Sequence, residues 1–466
     1  MSEFYYQLNR KYRDRISLIS GENELTYGEL AKTSDDIAKY VKSRSTVLMV
    51  CSNNIESISG YIGFLSVNAV PLMISTKNDS KLFTNLVEAY QPSYIYLPSS
   101  SSWVNFNAKI VHSSGKYTLL RTRFPHPTIH DDLALLLATS GSTGSPKFVR
   151  LSYENIESNA KSIVKYLSIK KSDRPITTMP MSYSYGLSII NSHLLMGSSI
   201  ILTDDSLMDR SFWEKIKMNK ATTFGGVPYI YEMLRKLRFE RMQIPSLKYL
   251  TQAGGNLNSD QIKELVDVCT EKNLKFYVMY GQTEASPRMS YVPWENAYAK
   301  AGSIGIAIPG GELMLEDEKR KIIKEYNTIG ELIYCGDNVS MGYAEGIDDL
   351  GKGDDNKGKL YTGDYAYMDS DGYYYLTGRK KRFLKMYGNR VNLDDVENYL
   401  NKVGYDCVCA GSDNNLKIYI AEPFDSIRLI DYVSKFTGLN RTGFQCVAID
   451  RIPRNDSGKV LYSELL

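Results

Sequence analysis

The sequence predicts a layered α/β fold, with a large N-terminal domain over residues 1–380 and a smaller C-terminal α/β domain over residues 381–466. Three observations predict it. Short β-prone apolar runs recur with amphipathic stretches between them, the alternation expected when sheets are buried under helices. At 466 residues and 43% hydrophobic composition, the chain can build more than one core and is too apolar to be disordered. Beyond Gly378 a basic segment, RKKRFLKMYGNR, leads into a separate short α/β pattern, which puts the boundary near Lys381.

In chain order the strand candidates are STVLMVCS (45–52), AVPLMIS (69–75), PSYIYLP (92–98), LALLLA (133–138), SSIILT (198–203) and KFYVMY (275–280). All are far shorter than the roughly 20 apolar residues that cross a bilayer, so buried strands and no membrane span are expected. Segment 153–168 places Ile156, Ala160, Ile163, Val164 and Leu167 on one face and predicts a helix directly after a loop. The stretch GIDDLGKGDDNKGK (346–359) has no periodicity and is expected as an exposed, mobile loop without a catalytic role.

Charge and composition exclude several function classes. Lys and Arg (56) nearly balance Asp and Glu (53) without long blocks of one sign, so neither a nucleic-acid surface nor a polybasic membrane patch is indicated. The first twenty residues lack the apolar core of a secretory signal, so a soluble, cytoplasmic protein is expected. Cys51, Cys269, Cys335, Cys407, Cys409 and Cys446 have no CxxC or framework spacing and are expected as buried thiols. His112, His126, His130 and His193 sit at no metal-ligand spacing, which argues against a zinc site and against a histidine triad.

Five polar clusters carry the chemistry. TSGSTGSPK (139–147) lies between the buried run LALLLA and the predicted helix. Its N–H groups, hydroxyls and Lys147 suit a phosphate chain, although it is not a Walker A loop and such loops also serve as plain linkers. YGQTE (280–284) puts Glu284 at a strand end, where a carboxylate suits Mg²⁺ or is merely solvated. YTGD (361–364) offers Asp364, whose two oxygens suit a pair of ribose hydroxyls or a turn. GRKKRFLKMYGNRVN (378–392) and IPRNDSGKVLY (452–462) complete the set, the last carrying Lys459 in a Gly-containing loop.

In this order, together with LTYGEL (25–30), AGG (253–255) and GELIYCGDNVSMGY (330–343), the clusters resemble the adenylate-forming superfamily. That superfamily comprises acyl-CoA synthetases, nonribosomal-peptide adenylation domains and firefly-type luciferases. The resemblance covers nearly the whole chain and implies ATP-dependent activation of a carboxylic acid as an acyl-adenylate, with pyrophosphate released. Acyl transfer to the thiol of coenzyme A, or to the phosphopantetheine of a separate carrier protein, then follows. It implies that Ser140, Ser142, Thr143 and Lys147 hold the β- and γ-phosphates, and that Thr143 and Glu284 hold Mg²⁺. Gly254, Gly255, Asn256 and Tyr280 would flank adenine, Thr283 the α-phosphate, and Asp364 with Arg379 the ribose. Lys459 would bridge the substrate carboxylate and the transferring phosphoryl group. The family's small domain swings about a hinge, matched here by Lys381, bringing in a thiolation loop matched by Lys385 and Gly388.

The resemblance places the acid pocket at Tyr183, Ser184, Tyr185, Gly225, Ala253, Met279 and Arg288. Amino-acid-activating relatives usually carry an aspartate at the position aligned with Ser184, and neither Ser184 nor its tyrosine neighbours can neutralise an ammonium. An acyl- or aryl-acid ligase is therefore expected ahead of an amino-acid adenylation enzyme, although Tyr183 replaces the histidine common in acyl and aryl activators. Gly225, Gly226 and Ala253 are expected to make room for a modest aliphatic or aromatic acid. Arg288 would pair with a second carboxylate on the substrate or serve as a structural or surface arginine. A catalytically silent nucleotide-binding relative is a further alternative, disfavoured by the joint presence of Lys147, Glu284, Asp364, Arg379 and Lys459.

Overall fold

The computed structural model describes residues 11–76, 80–105, 108–138, 147–379, 382–387, 389–454 and 460–465. Its contacts divide the chain into two compact units, Met1–Glu312 with Cys335–Leu360, and Leu313–Tyr334 with Tyr361–Leu466.

The first unit begins with β1 (Ile16–Ser20), β2 (Asn23–Thr26) and helix α1 (Tyr27–Ala38). It then alternates β3 (Thr46–Cys51), α2 (Ile55–Ser66), β4 (Val70–Ser75), α3 (Ser80–Tyr90) and β5 (Tyr94–Pro98). Strands β3, β4 and β5 pair in parallel, as expected for apolar runs joined by helices. Strand β3 explains its own composition: Val47, Met49 and Cys51 face one core, while Leu48 and Val50 face the other. Successive side chains on a strand alternate faces, so a strand buried on both sides is apolar at every position. Helix α2 packs Ile58, Tyr61, Phe64 and Leu65 into the first core, and α3 packs Phe83, Leu86, Val87 and Tyr90 into the second.

Strands β6 (Lys109–Ser114), β7 (Tyr117–Arg121), β8 (Leu133–Ala138), β9 (Phe148–Ser152) and the later β19 (Tyr343–Ala344) complete an eight-stranded mixed sheet, ordered β19-β9-β8-β4-β3-β5-β7-β6. Strand β9 departs from the sequence-based expectation. The loop after β8 was expected to lead directly into a helix, but FVRLS forms a buried strand antiparallel to β8, with Ala138 opposite Phe148. Residues 139–146 therefore join two neighbouring antiparallel strands. Helix α4 (Tyr153–Leu167) starts only after β9, with Ser152 and Asn155 forming a reciprocal capping box. Ile156, Ala160, Ile163 and Leu167 are buried along the predicted face.

Helix α5 (Ser184–Leu195), the short β10 (Ile200–Ile201) and α6 (Arg210–Met218) lead to a second sheet. In it β11 (Thr223–Gly226), β12 (Tyr249–Gln252) and β13 (Lys275–Tyr280) are parallel, and β14 (Ser290–Val292) and β15 (Ile306–Ala307) extend the sheet antiparallel. Helices α7 (Pro228–Lys236) and α8 (Ser259–Glu271) make the crossovers.

The segment 346–359 is more structured than its composition suggested. It contains a 3-10 turn over Ile347–Gly351 with Leu350 buried, and Asp355 reaches the fully buried Arg150 at 2.5 Å. Arg150 also donates to the carbonyls of Met341, Tyr343 and Lys352. A buried guanidinium needs these acceptors, and the acidic loop supplies part of them.

The second unit holds a five-stranded sheet ordered β17-β16-β18-β20-β21, formed by β16 (Gly311–Glu316), β17 (Ile322–Ile323), β18 (Gly330–Gly336), β20 (Lys359–Met368) and β21 (Tyr374–Arg379). The hairpin β22 (Phe383–Met386) and β23 (Asn389–Asn392), helix α9 (Leu393–Lys402), β24 (Cys407–Ser412), β25 (Asn415–Ile420), helix α10 (Ser426–Thr437) and β26 (Phe444–Ala448) follow. Their core includes Met386, Val396, Leu400, Leu416, Ile418, Leu429 and Val433. This unit takes in more chain than residues 381–466, because the strands at 311–336 and 359–379 pair across long sequence separations. Lys381 itself lies outside the described residues. No helix among the described residues is long and apolar enough to cross a membrane.

Candidate active site

The parallel strands β11, β12 and β13 deliver most of the predicted residues at their carboxyl ends, where open α/β sheets bind ligands. Gly225 and Gly226 end β11, Ala253, Gly254 and Gly255 follow β12, and Tyr280, Thr283 and Glu284 follow β13. Gly254 has φ +80, and a Cβ there would lie 2.6 Å from Tyr183 Oη, so the turn after β12 needs glycine. Gln252 Nε2 closes that turn on the Gly255 carbonyl at 2.8 Å, leaving Gly255 and Asn256 exposed. Gly281 meets a stricter demand, since a Cβ would fall 1.5 Å from the Pro287 carbonyl oxygen.

Glu284 lies in a 3-10 turn over Thr283–Ala285, and its carbonyl accepts from Ser340 N at 2.9 Å. Its carboxylate Oε1 accepts from Tyr343 Oη at 2.7 Å. Lys147, just before β9, places its ammonium 3.9 Å from the centre of the same tyrosine ring and 3.8 Å from Glu345. Tyr343 thus touches both the predicted phosphate-binding lysine and the predicted metal-binding carboxylate. Burial, and then the Glu284 charge, raise its hydroxyl above the ordinary tyrosine range, so it remains a donor. Sequence reasoning did not single it out, although it closes the motif GELIYCGDNVSMGY. Its position on β19, paired antiparallel with β9 opposite Val149, brings it beside Lys147.

Magnesium fits this donor set. One carboxylate with Tyr343 on Oε1 suits an ion that takes one or two carboxylates and fills its other positions with phosphate oxygens and water. Thr143, the second predicted ligand, lies outside the described residues, as do Ser140 and Ser142.

The predicted acid pocket is built around helix α5. Ser184 Oγ lies 2.9 Å from Thr283 Oγ1, and both residues are buried. Tyr185 donates to the Thr251 carbonyl at 2.8 Å. Its hydroxyl fills the opening at Gly225, where a Cβ would stand 2.7 Å away, and Ile230 and Tyr231 fill the one at Gly226. These glycines therefore admit the chain's own side chains. Arg288 is 2% exposed. Its guanidinium stacks 4.1 Å from the Tyr185 ring centre and donates to Ser188 Oγ from Nε and Nη2 and to Met279 Sδ from Nη1. The surface alternative for Arg288 is thereby excluded. Met279 also accepts from Tyr166 Oη at 3.1 Å.

Two predicted residues pair within the second unit. Asp364, 3% exposed, sits directly opposite Arg379 across β20 and β21, with Nε 3.3 Å from Oδ1. The exposed Arg379 thus holds one oxygen of the buried Asp364 carboxylate. Lys385 is exposed on β22, with its backbone N–H held by Asp413 at 2.8 Å. Lys459 and Gly388 lie outside the described residues.

Against this geometry stand the comparisons with known proteins. A medium-chain fatty-acid–CoA ligase of Escherichia coli (strain K12) is 27% identical over 345 residues, covering 71% of this chain but only 60% of that protein. An oxalate–CoA ligase of Arabidopsis thaliana is 26% identical over 422 residues, 83% of this chain and 80% of its own length. Among solved structures, an O-succinylbenzoate coenzyme A synthetase from Bacillus subtilis in complex with AMP matches with a TM-score of 0.83 at 21% identity, covering 100% of this chain and 98% of that one. The same enzyme with ATP and a magnesium ion matches at 0.81. At that identity the likeness establishes the fold, a mixed α/β architecture. The family model described as AMP-binding enzyme matches residues 5–344, and the chain belongs to that family.

Proposed function

We propose that this protein is an AMP-forming acid–thiol ligase that activates a small carboxylic acid with ATP and passes the acyl group to coenzyme A. A carboxylate oxygen of the acid attacks the α-phosphorus of ATP, the bond to pyrophosphate breaks, and an acyl-adenylate remains. The thiolate sulfur then attacks the acyl carbon and AMP leaves. The observation that carries the reading is the convergence of Lys147 and Glu284 on Tyr343, within a chain of the AMP-binding enzyme family.

In this reading Lys147 binds the terminal phosphates as a point charge, and Tyr343 orients the Glu284 carboxylate. Glu284, with Thr143, holds magnesium, whose charge offsets that of the phosphates. Asp364 binds the ribose hydroxyls, steadied by Arg379. Lys459 stabilises the charge that develops during adenylation. The relatives named above as CoA ligases favour coenzyme A over a carrier protein.

An amino-acid substrate is disfavoured by the pocket itself. Ser184 is engaged with Thr283, and the nearby buried cation is Arg288, which repels an ammonium. The test is exchange of labelled pyrophosphate into ATP in the presence of fatty, aryl, dicarboxylic and amino acids. Exchange that depends on one acid class supports the ligase; exchange with amino acids alone would move the protein to the adenylation enzymes that load carrier proteins.

A further inference from the structure

Arg288 is a buried cation whose charge no carboxylate among the described residues balances. It is 2% exposed, and among the described residues no carboxylate lies within ion-pair distance of it. Its three hydrogen bonds, two to Ser188 Oγ and one to Met279 Sδ, leave two of the five guanidinium N–H groups with no acceptor among the described residues besides the adjacent Tyr185 hydroxyl. One of the three partners is a thioether, a weak acceptor, and the Tyr185 face supplies only a partial negative potential.

Among the described residues, the buried Asp173 acts on the neighbouring His193 but is already paired with Lys248 at 2.7 Å. Tyr183 and Tyr185 are held protonated by burial, and burial pushes His193 down to about 4, leaving it neutral. A buried charge without a partner is costly, and such groups in cores are normally paired. The backbone at this position is fixed, because the Arg288 carbonyl accepts from Asn159 at 3.1 Å and Asn338 at 2.8 Å. The guanidinium is thus held against α5, among the residues of the predicted acid pocket.

We propose that Arg288 receives a second carboxylate of the substrate, so that the acid activated by this protein is a dicarboxylic acid. The inference rests on the ligase reading and names the substrate class for it. A planar carboxylate accepts two parallel N–H bonds from a guanidinium, which neutralises the charge and uses the remaining donors together. A monocarboxylic acid would instead bring a methylene end against a desolvated cation. Sites built around a buried polar group discriminate strongly against analogues that leave it unpaired.

The experiment is pyrophosphate exchange by the full chain with succinate, glutarate, adipate and phthalate, each compared with the monocarboxylate of equal carbon skeleton. The dicarboxylate is expected to be favoured on the order of 100-fold in kcat/KM. In Arg288→Met that ratio is expected to collapse by a similar factor, chiefly through the acid KM, and Arg288→Lys should recover part of it. Exchange supported by monocarboxylates alone, or an Arg288→Met variant that lowers both classes equally, would overturn the inference while leaving the ligase reading intact. No exchange with any acid would remove the ligase reading and the inference with it. If Arg288→Met does not fold, the wild-type preference decides.

Discussion

Tyr343 Oη donates to Glu284 Oε1 at 2.7 Å, joining a β-strand of the eight-stranded sheet to the turn between β13 and β14 of the second sheet. The contact fixes one oxygen of the carboxylate proposed to hold magnesium. Partners that orient a ligand typically matter 10–100-fold in metal affinity. Tyr343→Phe is expected to raise the magnesium requirement of adenylation by about 10-fold, with little change in acid KM because the ring under Lys147 remains. An unchanged magnesium titration would separate Tyr343 from the site.

Arg150 carries a structural prediction. It is fully buried and bonded to three carbonyls and to Asp355. Arg150→Met removes the side-chain donor from all four acceptors, of which the Met341 carbonyl keeps the Asp355 N–H at 3.0 Å, and should cost about 3 kcal/mol or more in denaturant unfolding. Asp355 is more than half exposed, and Asp355→Ala should cost under about 1 kcal/mol. The opposite ranking would contradict the account of how segment 346–359 is held.

His193 gives the chain a pH-dependent stability. Its ring lies 2.8 Å from the Ile189 carbonyl and 3.2 Å from Tyr249 Oη, and burial depresses its folded pKa to about 4 from 6.5. Below 6.5 the unfolded chain binds the proton more readily than the folded one. The contribution is therefore fully present above pH 6.5 and is lost as pH falls toward 4, about 1.4 kcal/mol per pH unit across that window. Unfolding at pH 7 and pH 5 should differ more for wild type than for His193→Gln, and equal differences would exclude the effect.

These residues also mark where the sequence was informative. Strands β3, β4, β5, β8 and β13 could be read directly, because a strand buried on both faces is apolar throughout and needs no partner to be recognised. Strand β9 was missed because FVRLS contains Arg150, which reads as a surface residue until its acceptors, 191 to 205 positions away, are in place. Tyr343 escaped for a similar reason, since pairing of β19 with β9 is what sets it beside Lys147. Gly225 was expected to make room for the acid, but which side chain uses that room is a tertiary fact: the Tyr185 hydroxyl does. Arg288 was left between a surface, a structural and a substrate role, and burial removed the first.

The most direct test of the central claim is pyrophosphate exchange by wild type and Lys459→Ala, run beside thiol transfer from preformed acyl-adenylate to coenzyme A. The account predicts acid-dependent exchange that falls on the order of 100-fold or more in the variant, by analogy with other preorganised charge donors, while thiol transfer is largely kept. Exchange that is independent of added acid, or equal in both proteins, would contradict it.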